Sequence, residues 1–267
     1  MGKVEVNINS LGYNLYCEEN KIKNEFKFSK KNTENNCKFY VGDTQSNKQE
    51  IFLEEFSLLL KNTEYEKILK KTNTFLNQNK QNTIKFPKGV WAVKNYIFKD
   101  RNINFEKGST LLMLGDVSLI GTKKDLLVTG EGMMVKLGGT INMENVSFDN
   151  LSNIKIPGLS WSGAINIINS KLKLRNIKIS NTVGEDAINI VNSNSTLENL
   201  LITNVPSDGL DIDFGTLEFL EISCNNIGND CLDVSSATIS GDIVKGKKIG
   251  DKLISIGEKS IFNLNEV

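Results

Sequence analysis

Apolar and polar side chains alternate in short runs that return at a fixed interval. Ala164-Ile165-Asn166-Ile167, Ala187-Ile188-Asn189-Ile190, Gly209-Leu210-Asp211-Ile212, Cys231-Leu232-Asp233-Val234 and Leu253-Ile254-Ser255-Ile256 repeat one motif. Their central apolar residues lie at steps of 23, 22, 22 and 22. A second register agrees: Asn150, Asn181, Asn204 and Asn226 follow one another at steps of 31, 23 and 22. Each comes just after an alternating segment such as the one carrying Leu172, Leu174, Ile177 and Ile179. Two short strands of period two plus their turns in about 22 residues make one coil of a solenoid. A helical repeat would carry a 3.6-residue period, which is absent. The pattern predicts an all-β fold, a right-handed parallel β-helix of about eight coils over residues 81–267. Isoleucine, leucine and valine point inward and Asn or Asp outward. Coils stacked about 4.8 Å apart align the asparagines, which then hydrogen-bond up the stack as a ladder.

The coils begin near Ile84, and glycines at 108, 115, 121 and 130 punctuate further strands. Residues 1–80 follow another pattern. Val4–Ile8, Asn14–Cys17, Phe26–Ser29 and Phe39–Val41 read as short strands, and Ile51–Leu60 as a buried helix. Thr63-Glu64-Tyr65-Glu66 is a capping-box pattern that opens a helix with Tyr65, Ile68, Leu69, Thr72, Phe75 and Leu76 on one face. A β-helix exposes strand edges and apolar core at its ends, so this mixed α/β region is expected to cap the first coil. Residues Leu151 to Gly163, with Lys155, Pro157 and Trp161, form an insertion between coils, and such insertions become loops on one face, often the binding face. Ile261-Phe262-Asn263-Leu264 still alternates, so the last coil is expected to continue or to pack on another protein chain.

Composition narrows the chemistry. With 32 basic and 32 acidic residues, the chain lacks the basic excess that phosphate contacts need, and no nucleic-acid partner is expected. Histidine is absent, which removes Ser-His-Asp and Cys-His catalysis and His-ligated zinc. No run approaches the ~20 apolar residues of a membrane span, and the first residues lack the pattern of a signal peptide. Cys17, Cys37, Cys224 and Cys231 match no metal motif. They read as buried thiols, with two disulfides as the alternative.

The candidate site is a strip of carboxylates. Asp186, Asp208, Asp230 and Asp251 recur at steps of 22, 22 and 21, and Asn189, Asp211, Asp233 and Ser255 at 22 each. Asp213 adds one more outward carboxylate. Two carboxylates about 5 Å apart repel by about 3 kcal/mol at an effective dielectric near 20, so something must offset the repulsion. A shared proton makes an acid–base pair; a cation makes a calcium site, for which Asp211 and Asp233 are the ligands. Asp also serves as an ordinary turn residue bonding nearby backbone, though it is disfavoured in mid-strand, where Asp211 and Asp233 fall.

At these residues the chain resembles the polygalacturonase-type glycoside hydrolases, which share the pectin-lyase-like β-helix. Ser207-Asp208-Gly209-Leu210-Asp211-Ile212-Asp213 is similar to their Asn-Thr-Asp-Gly segment. Gly228-Asn229-Asp230-Cys231-Leu232 is similar to their Gly-Asp-Asp-Cys segment one coil later. The resemblance implies polyuronide hydrolysis with inversion, with Asp208 and Asp230 in two of three aspartate roles. Asn229 stands where the third aspartate would be, and Asp251 where a histidine would be. The repeat region is equally similar to bacterial right-handed β-helix proteins.

Three functional readings follow. The preferred one is a non-catalytic module that binds polysaccharide or builds an extracellular or cell-surface assembly, favoured by the missing histidine and third aspartate. Its contacts would be Asp211, Asp213, Asp233, Asn229, Trp161 and Lys252. The alternatives are an inverting glycosidase using Asp208 and Asp230, and a lyase with a lysine such as Lys252 or Lys155 as base.

Overall fold

A computed structural model of the chain describes residues 3–8, 13–18, 37–41, 49–51, 62–154 and 161–266. Two compact units emerge, Met1–Tyr65 with Lys155–Ser160, and Glu66–Ile154 with Trp161–Val267. In the first, strands β1 (Lys3–Ile8), β2 (Tyr13–Glu18), β3 (Cys37–Val41) and β4 (Gln49–Ile51) form an antiparallel sheet in that order. The register sets Cys17 directly opposite Cys37. The expected strand Phe26–Ser29 and the expected helix after Ile51 lie outside the described residues.

The second unit is a parallel β-solenoid of about eight turns. Helix α1 (Asn62–Gln78), starting one residue ahead of the capping-box pattern, leads into it. The first strands are β5 (Thr83–Phe86), β6 (Gly89–Lys99), β7 (Asn102–Ile120) and β8 (Leu126–Leu137). Two families then alternate along the chain. Long strands β9 (Thr140–Asp149), β11 (Lys171–Ser180), β13 (Asn194–Val205), β15 (Thr216–Ile227), β17 (Thr238–Ile249) and β19 (Ile261–Glu266) stack in order. So do the short strands β10 (Gly163–Ile168), β12 (Asp186–Val191), β14 (Asp208–Asp213), β16 (Leu232–Ser235) and β18 (Ile254–Ile256). The register pairs Ile165 with Ile188, Leu210, Leu232 and Ile254 in succession, the 22-residue motif laid coil on coil.

Alternation explains the burial. Ile165, Ile188, Leu210 and Leu232 form one inward row with almost no exposed surface, each contributing about 1.5–3 kcal/mol of apolar burial. From Glu66 onward α1 packs on the first coil. Its Phe75 ring lies 4.7 Å from Trp91 and 5.7 Å from Phe86, and Thr72 Oγ1 accepts a hydrogen bond from the Ala92 amide at 3.0 Å. One inward position breaks the apolar rule. Lys136, in register with Met113 and Ile167, is fully buried, and its ammonium donates to the carbonyls of Gly115 (2.7 Å) and Gly138. Burial lowers its pKa to about 8, against the pull of Asp116. No helix among the described residues is long and apolar enough to cross a membrane.

The asparagine register does the work expected of it. Asn150, Asn181, Asn204 and Asn226 all take left-handed backbone conformations, φ 60°, 54°, 56° and 61°, which Asn tolerates better than other residues with a Cβ. Asn204 donates its side-chain amide to Asn181 (3.1 Å), and Asn226 to Asn204 (3.0 Å). A second ladder, Asn199 to Asn176 to Asn145, runs along the bend of the long strands at 3.0 Å per step, and Asn192 bonds Asn169 at a third corner. Asn204→Ala removes two rungs and places a Cβ residue without local hydrogen bonding at positive φ. It should cost about 1–2 kcal/mol, measurable as a drop in the urea midpoint at constant m-value; an unchanged midpoint would show the ladder to be ornamental.

The cysteines correct the expectation of buried thiols. Cys224 and Cys231 are joined in a disulfide, Cα atoms 5.9 Å apart. Cys224 points inward near the end of β15, and Cys231 lies just before β16. The Gly228–Asp230 turn folds one back on the other inside a single coil, and both are almost wholly buried.

Candidate functional site

The short-strand face carries the acidic strip. Outward positions form two columns: Asn166, Asn189, Asp211, Asp233 and Ser255, and beside it Ile168, Val191, Asp213 and Ser235. Asp186 pairs in register with Asp208 one coil on. Parallel in-register stacking therefore repeats like charges at one strand spacing, about 4.8 Å.

The strip is not uniform along its length. Towards the N-terminal side, Asn166 and Asn189 are buried although they face outward, and Ser162 reaches the strip, its Oγ accepting from the Asn189 amide at 2.7 Å. The same amide bonds Asp211 Oδ2 at 2.9 Å and approaches Asp186 Oδ2 at 3.3 Å. Asp186 is buried, and that desolvation raises its pKa to about 6, opposed by bonds from Ser162 and Asn189 and reinforced by the charges of Asp208 and Glu185. Asp211 is pushed well above the carboxylate range, first by desolvation and then by Asp213, Asp186, Asp233 and Asp208. Asp213 is raised for the same reasons, with Asp186 and Asp233 as the charges. Of the offsets that carboxylate crowding demands, proton retention is thus the one this environment favours.

Asp208 and Asp230 are held differently. Asp208 Oδ1 accepts from the Asp230 amide and from the Asn229 side chain, both at 2.8 Å, and Asp230 Oδ1 accepts from the Lys252 amide at 2.8 Å. Each carboxylate therefore ties its own turn to the turn of the next coil. Lys252 places its ammonium 3.7 Å from Asp230 Oδ2 and closer still to Asp251, and its pKa is raised first by Asp251 and then by Asp230 and Asp233.

The structure thus gathers Asp186, Asp208, Asp211, Asp213, Asp230, Asp233, Asn229 and Lys252 on one face over four successive coils. Asp211 and Asp233, the expected calcium ligands, stand opposite each other. Among the described residues, however, no set of three or more Cys, Asp or Glu side chains converges as a metal site would require. Trp161 is half-buried at the edge of the insertion, its carbonyl accepting a hydrogen bond from the Asn153 side chain.

Comparison with known proteins finds no match: no protein-family model, no curated protein and no solved structure. The repeat pattern and the structure agree on the solenoid, and no relative extends the likeness to pectin-acting enzymes.

A feature that sequence reading missed lies on the long-strand face. Just before the bend, β9, β11, β13, β15 and β17 together line an open cleft of about 470 Å³. Its walls carry Asn142 and Glu144, Lys173 and Arg175, Thr196 and Glu198, Glu218 and Leu220, and Ser240 and Asp242, two outward side chains from each coil. The signal was present as the exposed positions of the alternating segments; their chemistry varies from coil to coil, so no repeating motif announced it.

Proposed function

We propose that the chain is a non-catalytic β-solenoid module that holds an extended polysaccharide in an extracellular or cell-surface setting. The observation that carries this reading is the placement of Asp208 and Asp230. Inverting hydrolysis needs two carboxyls roughly 6.5–9.5 Å apart with a water held between them. Here each carboxylate has an oxygen tied to the backbone of the next coil, and Asp230 is buried. The absence of histidine and the long open face of side chains repeated coil by coil agree with binding rather than turnover. The Cys224–Cys231 disulfide supports an oxidising compartment.

A hydrolytic reading has one observation in its favour. Asp211, with a carboxyl that keeps its proton, stands two residues from Asp213 on the same outward face of β14, about 6.7 Å along the strand. A proton-retaining carboxyl beside a second carboxylate is the arrangement of an acid–base pair.

The test is reducing-end release and double-bond absorbance on a panel of polyuronides and neutral glycans. The natural chain is compared with Asp208→Asn, Asp230→Asn and Asp211→Asn, each keeping an oxygen acceptor. The module reading expects no turnover from any of them. Turnover lost in Asp208→Asn or Asp230→Asn overturns it in favour of the inverting enzyme built on those two residues. Turnover lost only in Asp211→Asn selects the second pair.

A further inference from the structure

We infer that the long-strand cleft, rather than the acidic strip, seats the glycan, and that the glycan is an extended polysaccharide bearing free amino groups. This rests on the module reading above.

The cleft crosses five strands, so it runs along the solenoid axis for about 19 Å at four strand spacings. Its occupant is therefore a chain lying across the coils. Each coil presents a pair of outward side chains at equivalent places, which suits a ligand that itself repeats. Thr196 and Ser240 offer hydroxyl groups and Asn142 an amide, the partners that sugar hydroxyls use, while Leu220, 52% exposed, gives an apolar step for a ring face.

Charge decides the class of sugar. Arg175 is engaged by Glu144, and Asp242 accepts from Asn265 at 2.7 Å. Glu198 and Glu218 have no hydrogen-bond or ion-pair partner among the described residues. They stand on the same wall, on neighbouring strands, with Glu218 in register with Thr196. Among the described residues lining the cleft, Lys173, one coil from Thr196, is the one unengaged cation. Two unengaged carboxylates against one ammonium favour a cationic ligand over a uronate, and a positive group on successive sugars would complete both. In the acidic strip, by contrast, Asp208 and Asp230 are tied to the next turn, Asp186 and Asp211 take bonds from Asn189, Asp230 faces the Lys252 ammonium, and Asp213 and Asp233 are crowded by their fellow carboxylates.

Binding of the full chain to a glucosamine hexaose, its fully N-acetylated counterpart, hexagalacturonate and a lysine hexapeptide is measured by calorimetry in mildly acidic buffer. The free-amine glycan is expected to bind most tightly. Glu198→Gln with Glu218→Gln should weaken it about tenfold, two exposed charge contacts at their usual strength, with the thermal midpoint unchanged because both side chains lie on the surface. Hexagalacturonate binding best, or glucosamine binding abolished by Asp211→Asn with Asp233→Asn but untouched by the glutamate pair, overturns this inference and leaves the module reading standing. Lysine hexapeptide matching the amino glycan overturns it in favour of a peptide site. No binding by any glycan removes both.

Discussion

The protein should be most stable in mild acid, near pH 4–5, and should lose stability steadily towards pH 8. The cause is the acidic strip. Asp186, buried and raised to about 6 from 3.8, retains a proton in the folded state that it gives up in the unfolded one. Its contribution is fully present below about pH 4 and is lost as pH rises through 6. Over that window it is worth about 3 kcal/mol. Asp213, raised to about 6 as well, loses its contribution over the same window, and Asp211, raised further, continues the decline above pH 6. Below pH 4 the trend reverses, because Asp125, bonded to Lys178 and Ser147, has a lowered pKa and loses those interactions on protonation. A fall in melting temperature of roughly 5–10 °C between pH 5 and 8 is expected at this chain length. Asp211→Asn, an uncharged isostere that still accepts from Asn189, should flatten the decline and raise the midpoint at pH 7.5. A midpoint that climbs from pH 5 to pH 8, or an Asp211→Asn variant less stable than the natural chain at pH 7.5, would show that the strip is not proton-starved.

Opening the Cys224–Cys231 disulfide should cost about 2–3 kcal/mol. The bond closes a loop of eight residues within one coil, and the chain entropy released to the unfolded state by cutting it is of that size. Native packing offers little compensation, since both positions are buried and two thiols occupy nearly the same apolar space. Calorimetry of the protein with and without reductant, and of the Cys224→Ala, Cys231→Ala pair, should show a fall of roughly 5–10 °C. A fully reduced protein, verified by thiol titration, that melts at the oxidised temperature would put the stabilisation elsewhere.

What the chain discloses about itself follows from the physics of stacking. Inward rows demand the same kind of side chain in every coil, so Ile165, Ile188, Leu210 and Leu232 repeat visibly; so do Asn181, Asn204 and Asn226, because each must adopt the same left-handed turn. Features that join different coils by different residues leave no such trace. The bend ladder of Asn145, Asn176 and Asn199 is half concealed by the 31-residue step across the insertion. Lys136 sits at a position where the pattern asks for an apolar residue, and only the nearby turn carbonyls of Gly115 and Gly138 account for it. The acidic residues were all found by spacing, yet spacing alone does not separate Asp208 and Asp230, which bond the neighbouring turn, from Asp211 and Asp213, which crowd one another. Asn166 and Asn189 illustrate the same limit, facing outward by alternation and nonetheless buried.

The coil pinned by Cys224 and Cys231 also predicts how the wall comes apart under load. A solenoid whose coils touch only their neighbours peels in order, and β19, which among the described strands pairs with β17 alone, is held by fewer ladder bonds than the strands inside the stack. Each coil of about 22 residues yields roughly 75 Å of slack. The coil holding the disulfide withholds the seven residue steps between Cys224 and Cys231, less the 5.9 Å that the crosslink itself spans, so its step in a single-molecule trace falls short by roughly 18 Å. Reductant in the chamber restores the full length, which makes that one short step a marker of position along the unravelling chain.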